Sequence, residues 1–245
     1  MIPGTGTALN VATVLVGSGV GVALGARFPE RTRTTVTDAL GLMVLVIGGL
    51  NVAEGLGDEG YRRAVSSGGT VLVVLGALLL GGIAGSLARL EDRLESIGGV
   101  LQRRLSRGDE DRFVEGFVSA SLVFCVGPLT VLGSLSDGLG HGIDQLALKS
   151  TLDGFAALAF AASLGWGVAA SALSVGVVQG LLTALGVALG SFLPGSLVAS
   201  LTATGGVLLL GVGLRLLAVK PVPVGDLLPA LLAAPLLTAL VDQLR

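Results

Sequence analysis

From Gly154 to Leu214 the chain reads GFAALAFAASLGWGVAASALSVGVVQGLLTALGVALGSFLPGSLVASLTATGGVLLLGVGL, sixty-one residues without an Asp, Glu, Lys or Arg. At about 20 residues per helical crossing, this is enough chain to traverse a bilayer roughly three times. The stretch predicts an all-α, polytopic membrane protein whose solvent is lipid.

The rest of the chain agrees with that reading. Charged residues make up only 13% of 245, and the mean hydropathy is +0.88, too apolar for a soluble domain of this length. Forty glycines fit as well, because small residues let membrane helices approach where no hydrophobic effect drives them together. Cys125 is the sole cysteine, which excludes an internal disulfide and a multi-cysteine metal site. The net charge of −2 gives no support for a nucleic-acid partner, and none is expected.

Apolar runs bounded by charges or proline fall at about 5–26, 36–53, 68–88, 114–135, 150–171, 174–192, 197–217 and 225–242. The first has no basic region before it and is read as a retained span, not a cleaved signal. The last carries Pro229 and Pro235 and is expected to be kinked or tilted. Six arginines in 89–112 mark that segment as cytoplasmic. Alternation then puts eleven Lys and Arg residues inside against four outside, with both termini outside. Leu90, Leu94, Ile97, Leu101 and Leu105 recur at helical spacing in the same segment. It reads as an amphipathic connector at the membrane surface or as a solvated connector helix.

The chain also repeats itself. Gly21-Val22-Ala23-Leu24-Gly25, with Pro29, Thr37, Gly41, Leu45 and Gly48, recurs 165 residues later as Gly186-Val187-Ala188-Leu189-Gly190, with Pro194, Thr202, Gly206, Leu210 and Gly213. Five crossings separate the two copies, so they run in opposite directions, an arrangement met in secondary transporters. The expected organisation is one transmembrane domain over 1–245: repeat one at about 5–88, the cytoplasmic connector at about 89–112, central spans at about 113–171 and repeat two at about 174–242.

Ionisable groups inside a membrane are costly and are functional candidates by default. Glu115 opens the fourth span, which continues through Cys125 to Gly127-Pro128. Pro128 removes a backbone donor there and frees carbonyls about four residues back. The break is either a plain kink or a place where freed carbonyls near Gly127 line a polar path. Lys149 and Asp153, four apart around Ser150, share a helix face at the start of the fifth span. They form either a local ion pair with Lys149 snorkelling outward, or a site where Asp153 takes a proton, a cation or a cationic solute.

Asn10 and Gln179 lie on spans of the repeat, and each offers a donor and an acceptor to a polar solute. Asp38, Asn51 and Asp137 are secondary candidates, beside Thr13, Ser18, Thr183, Thr202 and Thr204. The glycines spaced four apart at 17, 21 and 25 are assigned to helix packing. His141 is read as a solvated loop residue. No phosphate loop, nucleotide fingerprint or zinc-binding histidine pair is present, so no cofactor and no metal is expected. No single segment joins a nucleophile to a base, so an enzyme is not expected either.

At these residues the chain also resembles a known family. Met1-Ile2-Pro3-Gly4-Thr5-Gly6-Thr7, Phe113-Val114-Glu115-Gly116-Phe117 through Phe124-Cys125-Val126-Gly127, Gly133-Ser134-Leu135-Ser136-Asp137-Gly138, and Lys149-Ser150 to Asp153-Gly154 are similar to the domain-of-unknown-function 554 family, the YdfK/YqgA type. The resemblance covers nearly the whole chain. It implies a polytopic protein of the bacterial inner membrane, without a substrate or mechanism attached.

The function expected is a secondary transporter or exporter of a small polar solute or ion, driven by a proton or sodium gradient, with Glu115 and Asp153 as coupling carboxylates. The alternatives are an oligomeric channel with a passive polar pore, or a non-transporting interaction protein whose arginine-rich segment meets anionic lipid or a cytoplasmic partner. Its partners are expected to be membrane lipids, the solute itself and, in the channel reading, further copies of the chain.

Overall fold

The computed structural model describes residues 2–27, 29–66, 68–94, 96, 100, 110–125, 128–189 and 194–244. Among the described residues the apolar runs of the sequence fall on helix, apart from turns at 165–166 and 228–229, and no strand occurs. The helices are α1 (Thr5–Gly25), α2 (Glu30–Gly57), α3 (Glu59–Val65), α4 (Gly69–Leu87), α5 (Glu110–Cys125), α6 (Pro128–Gly138), α7 (Asp144–Leu164), α8 (Gly167–Leu189), α9 (Gly195–Leu216), α10 (Val224–Leu227) and α11 (Ala230–Gln243). Residues 90–94 of the expected connector are helical too; residues 101–109 of it lie outside the described residues.

Among the described residues, six segments are long and apolar enough to cross a membrane: α1, α2, α4, α8, α9 and Val224–Gln243, which joins α10 to α11. The α5–α6 pair makes a seventh if it is one span bent by 64°. With 21 residues α7 is long enough, yet Asp144, Lys149 and Asp153 lower its apolarity. Leu72, Leu75, Leu79 and Ile83 of α4 stand exposed at helical spacing, as do Leu42, Val46 and Leu50 of α2. Apolar faces of this extent are rare on soluble monomers and suit lipid.

Two boundaries differ from the sequence reading. The run predicted over 150–171 breaks at Leu164, because Gly165 turns the chain with φ +79° before α8 opens at Gly167. No charge marks this turn, so a search for charged boundaries passes over it. The short helix α3 interrupts the connection between α2 and α4. Asp58 caps it by accepting from Tyr61 N at 2.7 Å, while Arg62 and Arg63 occupy its last turn, where the helix dipole favours cations.

The chain forms two compact units that do not follow chain order. The first comprises Met1–Leu40, Glu95–Cys125 and Leu129–Phe192, hence α1, α5 to α8 and the start of α2. Within it α1 and α7 run parallel in close contact. A Cβ at Gly17 would lie 2.2 Å from the Gly154 carbonyl oxygen, one at Gly21 2.3 Å from that of Leu158, and one at Gly25 2.1 Å from that of Ala162. Only the missing side chains permit this approach. α5 runs parallel to α8, with Phe113 against Gly167 and Ser121 Oγ bonded to Ser174 Oγ at 2.9 Å. Between α1 and α8 the direction reverses: Thr7 meets Thr183 and Val11 meets Gly176.

The second unit comprises Gly41–Leu94, Val126–Pro128 and Leu193–Arg245. In it α2 and α9 cross antiparallel at glycines, Gly48 against the Gly206 carbonyl and Gly213 against that of Gly41. α4 and α11 pack likewise, with Gly81 on Ala230 and an alanine layer of Ala77, Ala230 and Ala234. Tyr61 is fully buried among Ala64, Val65, Val73 and Ala199, its hydroxyl donating to the Thr70 carbonyl at 3.1 Å. Glu91 is held by Arg215 and by the Gly225 amide, and its own amide donates to Asp226 at 3.0 Å.

Candidate functional site

The interior of the first unit is polar where a membrane protein has least reason to be. Lys149 and Asp153 stand one turn apart on α7, and both are buried, at 6% and 7% exposure. Their contact is direct. Lys149 therefore turns inward and does not snorkel to the headgroups. Asn10 of α1 reaches the same carboxylate oxygen, donating through Nδ2 to Asp153 Oδ2 at 2.9 Å. This bond links groups that the parallel packing of α1 and α7 places side by side.

Two of the groups nearby are already satisfied locally. Ser150 is buried, but its hydroxyl donates to the Leu146 carbonyl at 2.6 Å, within its own helix. The Asp137 carboxylate accepts from the Gly4 and Gly6 amides, each at 3.1 Å, and so caps the start of α1. Gly4 takes φ +96° to make that entry.

Other groups are not satisfied. Asn10 Oδ1, Ser18 Oγ, Ser134 Oγ and both amide atoms of Gln179 are buried without a hydrogen-bond partner. All of them belong to the first unit. Gln179 is fully buried on α8, between Gly176 and Thr183, the residues that meet Val11 and Thr7 of α1. Asn10 lies between those same two partners on α1. The two amide side chains thus occupy the same stretch of the α1–α8 contact. An orphaned buried amide costs about 1–3 kcal/mol per group, and native cores carry few of them.

The bend at the end of α5 is closed on itself. A proline at position 128 withdraws the donor for the carbonyl four residues earlier, that of Phe124. Thr130 supplies a substitute, its hydroxyl donating to Phe124 O at 3.2 Å. Gly127, expected to line the site, lies outside the described residues. Cys125 is half-buried at the end of α5, within electrostatic reach of both Lys149 and Asp153.

Glu115 is placed elsewhere. It is half-buried on α5 beside Gly116, which packs on Leu164 at the far end of α7. At 1.5 Å per residue this is about 16 Å along the axis from Asp153. The two carboxylates stand at different depths of the unit and do not share one site. Asp38 is exposed on α2, while Asn51 is half-buried and belongs to the second unit. His141 is exposed in the turn after α6. No group of three or more His, Cys, Asp or Glu that could hold a metal occurs among the described residues.

Sequence reading singled out Asn10, Gln179, Lys149 and Asp153 as isolated polar groups in apolar runs. It missed Ser134, and its only signal was a hydroxyl in the broken fourth span. An open groove between α1 and α7 is not the polar site. Thr13, Ser150 and Thr151 line it, but each bonds a carbonyl of its own helix, leaving Val16, Val20 and Phe155 to form the walls.

Comparison with known proteins gives the family of the chain. Residues 5–239 match the family described as "Protein of unknown function (DUF554)". "Uncharacterized protein YqgA" of Escherichia coli (strain K12) is 32% identical over 238 residues, covering 96% of this chain and 96% of its own. "Uncharacterized membrane protein YdfK" of Bacillus subtilis (strain 168) is 26% identical over 230 residues, covering 94% of this chain and 93% of its own. No solved structure matches.

Proposed function

We propose, from the premise that this chain belongs to the DUF554 family, that it is a secondary transporter carrying a small polar solute or ion through the interior of its first unit. One observation carries the reading. Among the described residues, every buried side-chain polar atom without a partner lies in that unit, which also holds the buried Lys149–Asp153 pair. A membrane core kept only for stability favours apolar side chains at such positions, because each unpaired group is costly where no water reaches. A transient solute supplies the missing partners in turn.

Helix contacts support the inverted repeat on which this reading also leans. At the offset of 165 residues, the contact of Gly48 with Gly206 has as its counterpart the contact of Gly213 with Gly41. Gly48 against Leu210 is matched by Gly213 against Leu45. In the first unit, Val11 and Gly176 are each other's counterparts. Equivalent helices that cross antiparallel at equivalent points are what a two-fold axis in the membrane plane produces. The directions of the packed helix pairs within each unit also support this reading. In this reading the chain lies in the bacterial inner membrane with both termini outside, works without a cofactor and is not an enzyme. Asp153 is the coupling carboxylate, and Glu115 acts as a gate nearer the cytoplasmic end.

The test is reconstitution into proteoliposomes loaded with a pH-sensitive dye and challenged with small polar solutes. A solute-dependent pH change that is absent in Asp153→Asn supports a coupled carrier. Solute that equilibrates without accumulating points to a passive channel, and leakage equal to that of empty liposomes sinks the transport reading.

A further inference from the structure

The partners left open in the first unit have a definite chemistry, and so does the charge around them. Lys149 and Asp153 sum to zero whichever of the two holds the proton. Asp137, the other buried carboxylate described in this unit, is held by two backbone amides at the positive end of α1. Glu115 stands about 16 Å away along α7. A net charge brought beside the pair would have no counter-charge, and in a site of low dielectric its desolvation costs several kcal/mol per ion. Three of the five unpaired atoms belong to amides, the other two being the Ser18 and Ser134 hydroxyls. Gln179 offers one carbonyl oxygen and one NH2, and Asn10 adds a second carbonyl oxygen.

We infer that the solute taken by this interior is small, carries no net charge and presents both N–H donors and a carbonyl acceptor: the carboxamide class. Gln179 pairs with such a group through two antiparallel hydrogen bonds, and Asn10 Oδ1 receives its second N–H. Asn10 Nδ2 meanwhile stays on Asp153, so occupancy of the amide pair bears directly on the carboxylate next to it. This inference rests on the transport reading of the same interior and narrows it to one solute class.

The test uses the full chain in detergent, with acetamide as the uncharged probe and methylammonium, acetate and sodium as charged probes at equal ionic strength. Acetamide should raise the unfolding midpoint by about 3–5 °C once it exceeds its dissociation constant tenfold. The charged probes should leave the midpoint unchanged. Gln179→Leu, which removes the orphaned amide in favour of an apolar side chain, should fold and lose the acetamide shift. Gln179→Glu adds one negative charge and should transfer the response to methylammonium. A shift with a charged probe alone in the unaltered protein overturns the inference while leaving transport standing. An acetamide shift that persists in Gln179→Leu overturns it as well, since binding then lies elsewhere. No shift with any probe also overturns it, and the dye-loaded proteoliposomes then decide the transport reading on their own.

Discussion

Asn10 donates its amide to Asp153 at 2.9 Å across 143 residues of chain, while its own carbonyl oxygen is buried without a partner. The carboxylate oxygen it reaches also receives Lys149, so one oxygen atom joins α1 to both polar groups of α7. The α1–α7 contact is glycine-lined and uncharged elsewhere, and this is the point at which charge enters it.

Breaking that pair from one side should be far more damaging than removing it whole. Lys149→Met leaves a buried carboxylate with only Asn10 beside it and is expected to cost about 3–5 kcal/mol. Lys149→Met combined with Asp153→Leu and Asn10→Leu removes both charges together with the amide that would otherwise be orphaned, and should return to within about 1 kcal/mol of the parent, as buried pairs replaced by apolar residues do. Denaturant unfolding in micelles measures both. A single-variant loss below about 1 kcal/mol, the scale of exposed pairs, would place Lys149 and Asp153 in water.

Two glycines on α1 separate packing from helix propensity. A Cβ at Gly21 would stand 2.3 Å from the Leu158 carbonyl oxygen, whereas one at Gly19 would meet nothing within 4 Å. Gly21→Ala must push α7 away and should cost about 1–3 kcal/mol, the range of overpacked cores. Gly19→Ala should be neutral or stabilise by up to about 1 kcal/mol. Equal midpoints for the two variants in thermal unfolding would mean that α1 and α7 are not in close contact.

These residues also mark what a sequence can disclose. Composition and run length identify the membrane helices, and the four-residue glycine spacing identifies the face of α1 that packs. Pro128 identifies the carbonyl of Phe124 as one needing a new donor. The donor itself, Thr130, depends on how the chain bends, and no spacing rule supplies it. Lys149 and Asp153 declare themselves by their spacing. Asn10, the second donor to the Asp153 carboxylate, does not, because only the parallel run of α1 and α7 brings it there. The turn at Gly165 is silent for a different reason: it lies inside an uncharged stretch, where a break within the apolar layer leaves no mark in charge. Asp137 is a secondary site candidate in the sequence, and only the placement of α6 delivers it to the first amides of α1.

Tyr61 is the one tyrosine of the chain, so its ionisation can be followed without interference. It sits on α3, between the long helices. Burial pushes its phenol from 10.0 up to about 12, against a smaller opposing effect of the Thr238 hydroxyl. A pKa raised by folding stabilises the folded state fully below the unfolded value, and the contribution is lost as pH rises through the folded one. Stability should therefore hold to about pH 10 and fall between pH 10 and 12. Phenolate absorbance should show a midpoint near 12 in the folded protein, and Tyr61→Phe should abolish this part of the alkaline decline. A midpoint near 10 with the fold intact would mean that the ring is solvated.

Asp137 ties the end of α6 to the start of α1, which makes it a support for the polar site and not a member of it. Its Oδ2 accepts from the amides of Gly4 and Gly6, two of the donors that a helix start leaves without intrahelical partners. Asp137→Ala should cost about 1–2 kcal/mol, as lost caps do. Asp137→Asn keeps an acceptor while losing the charge that favours a helix N-terminus, and should cost about half as much. The two variants should also differ locally. Amide exchange over Thr5 to Ala8 should quicken in the alanine variant and change little in the asparagine one, since the first turn frays when its cap is gone. Asn10 lies a little over one turn further on, so a frayed start to α1 should also weaken its hold on Asp153. Uniform exchange along α1 in both variants would mean that the helix start is held by its apolar neighbours, Leu146 against Gly6 foremost, and that the carboxylate is incidental to it.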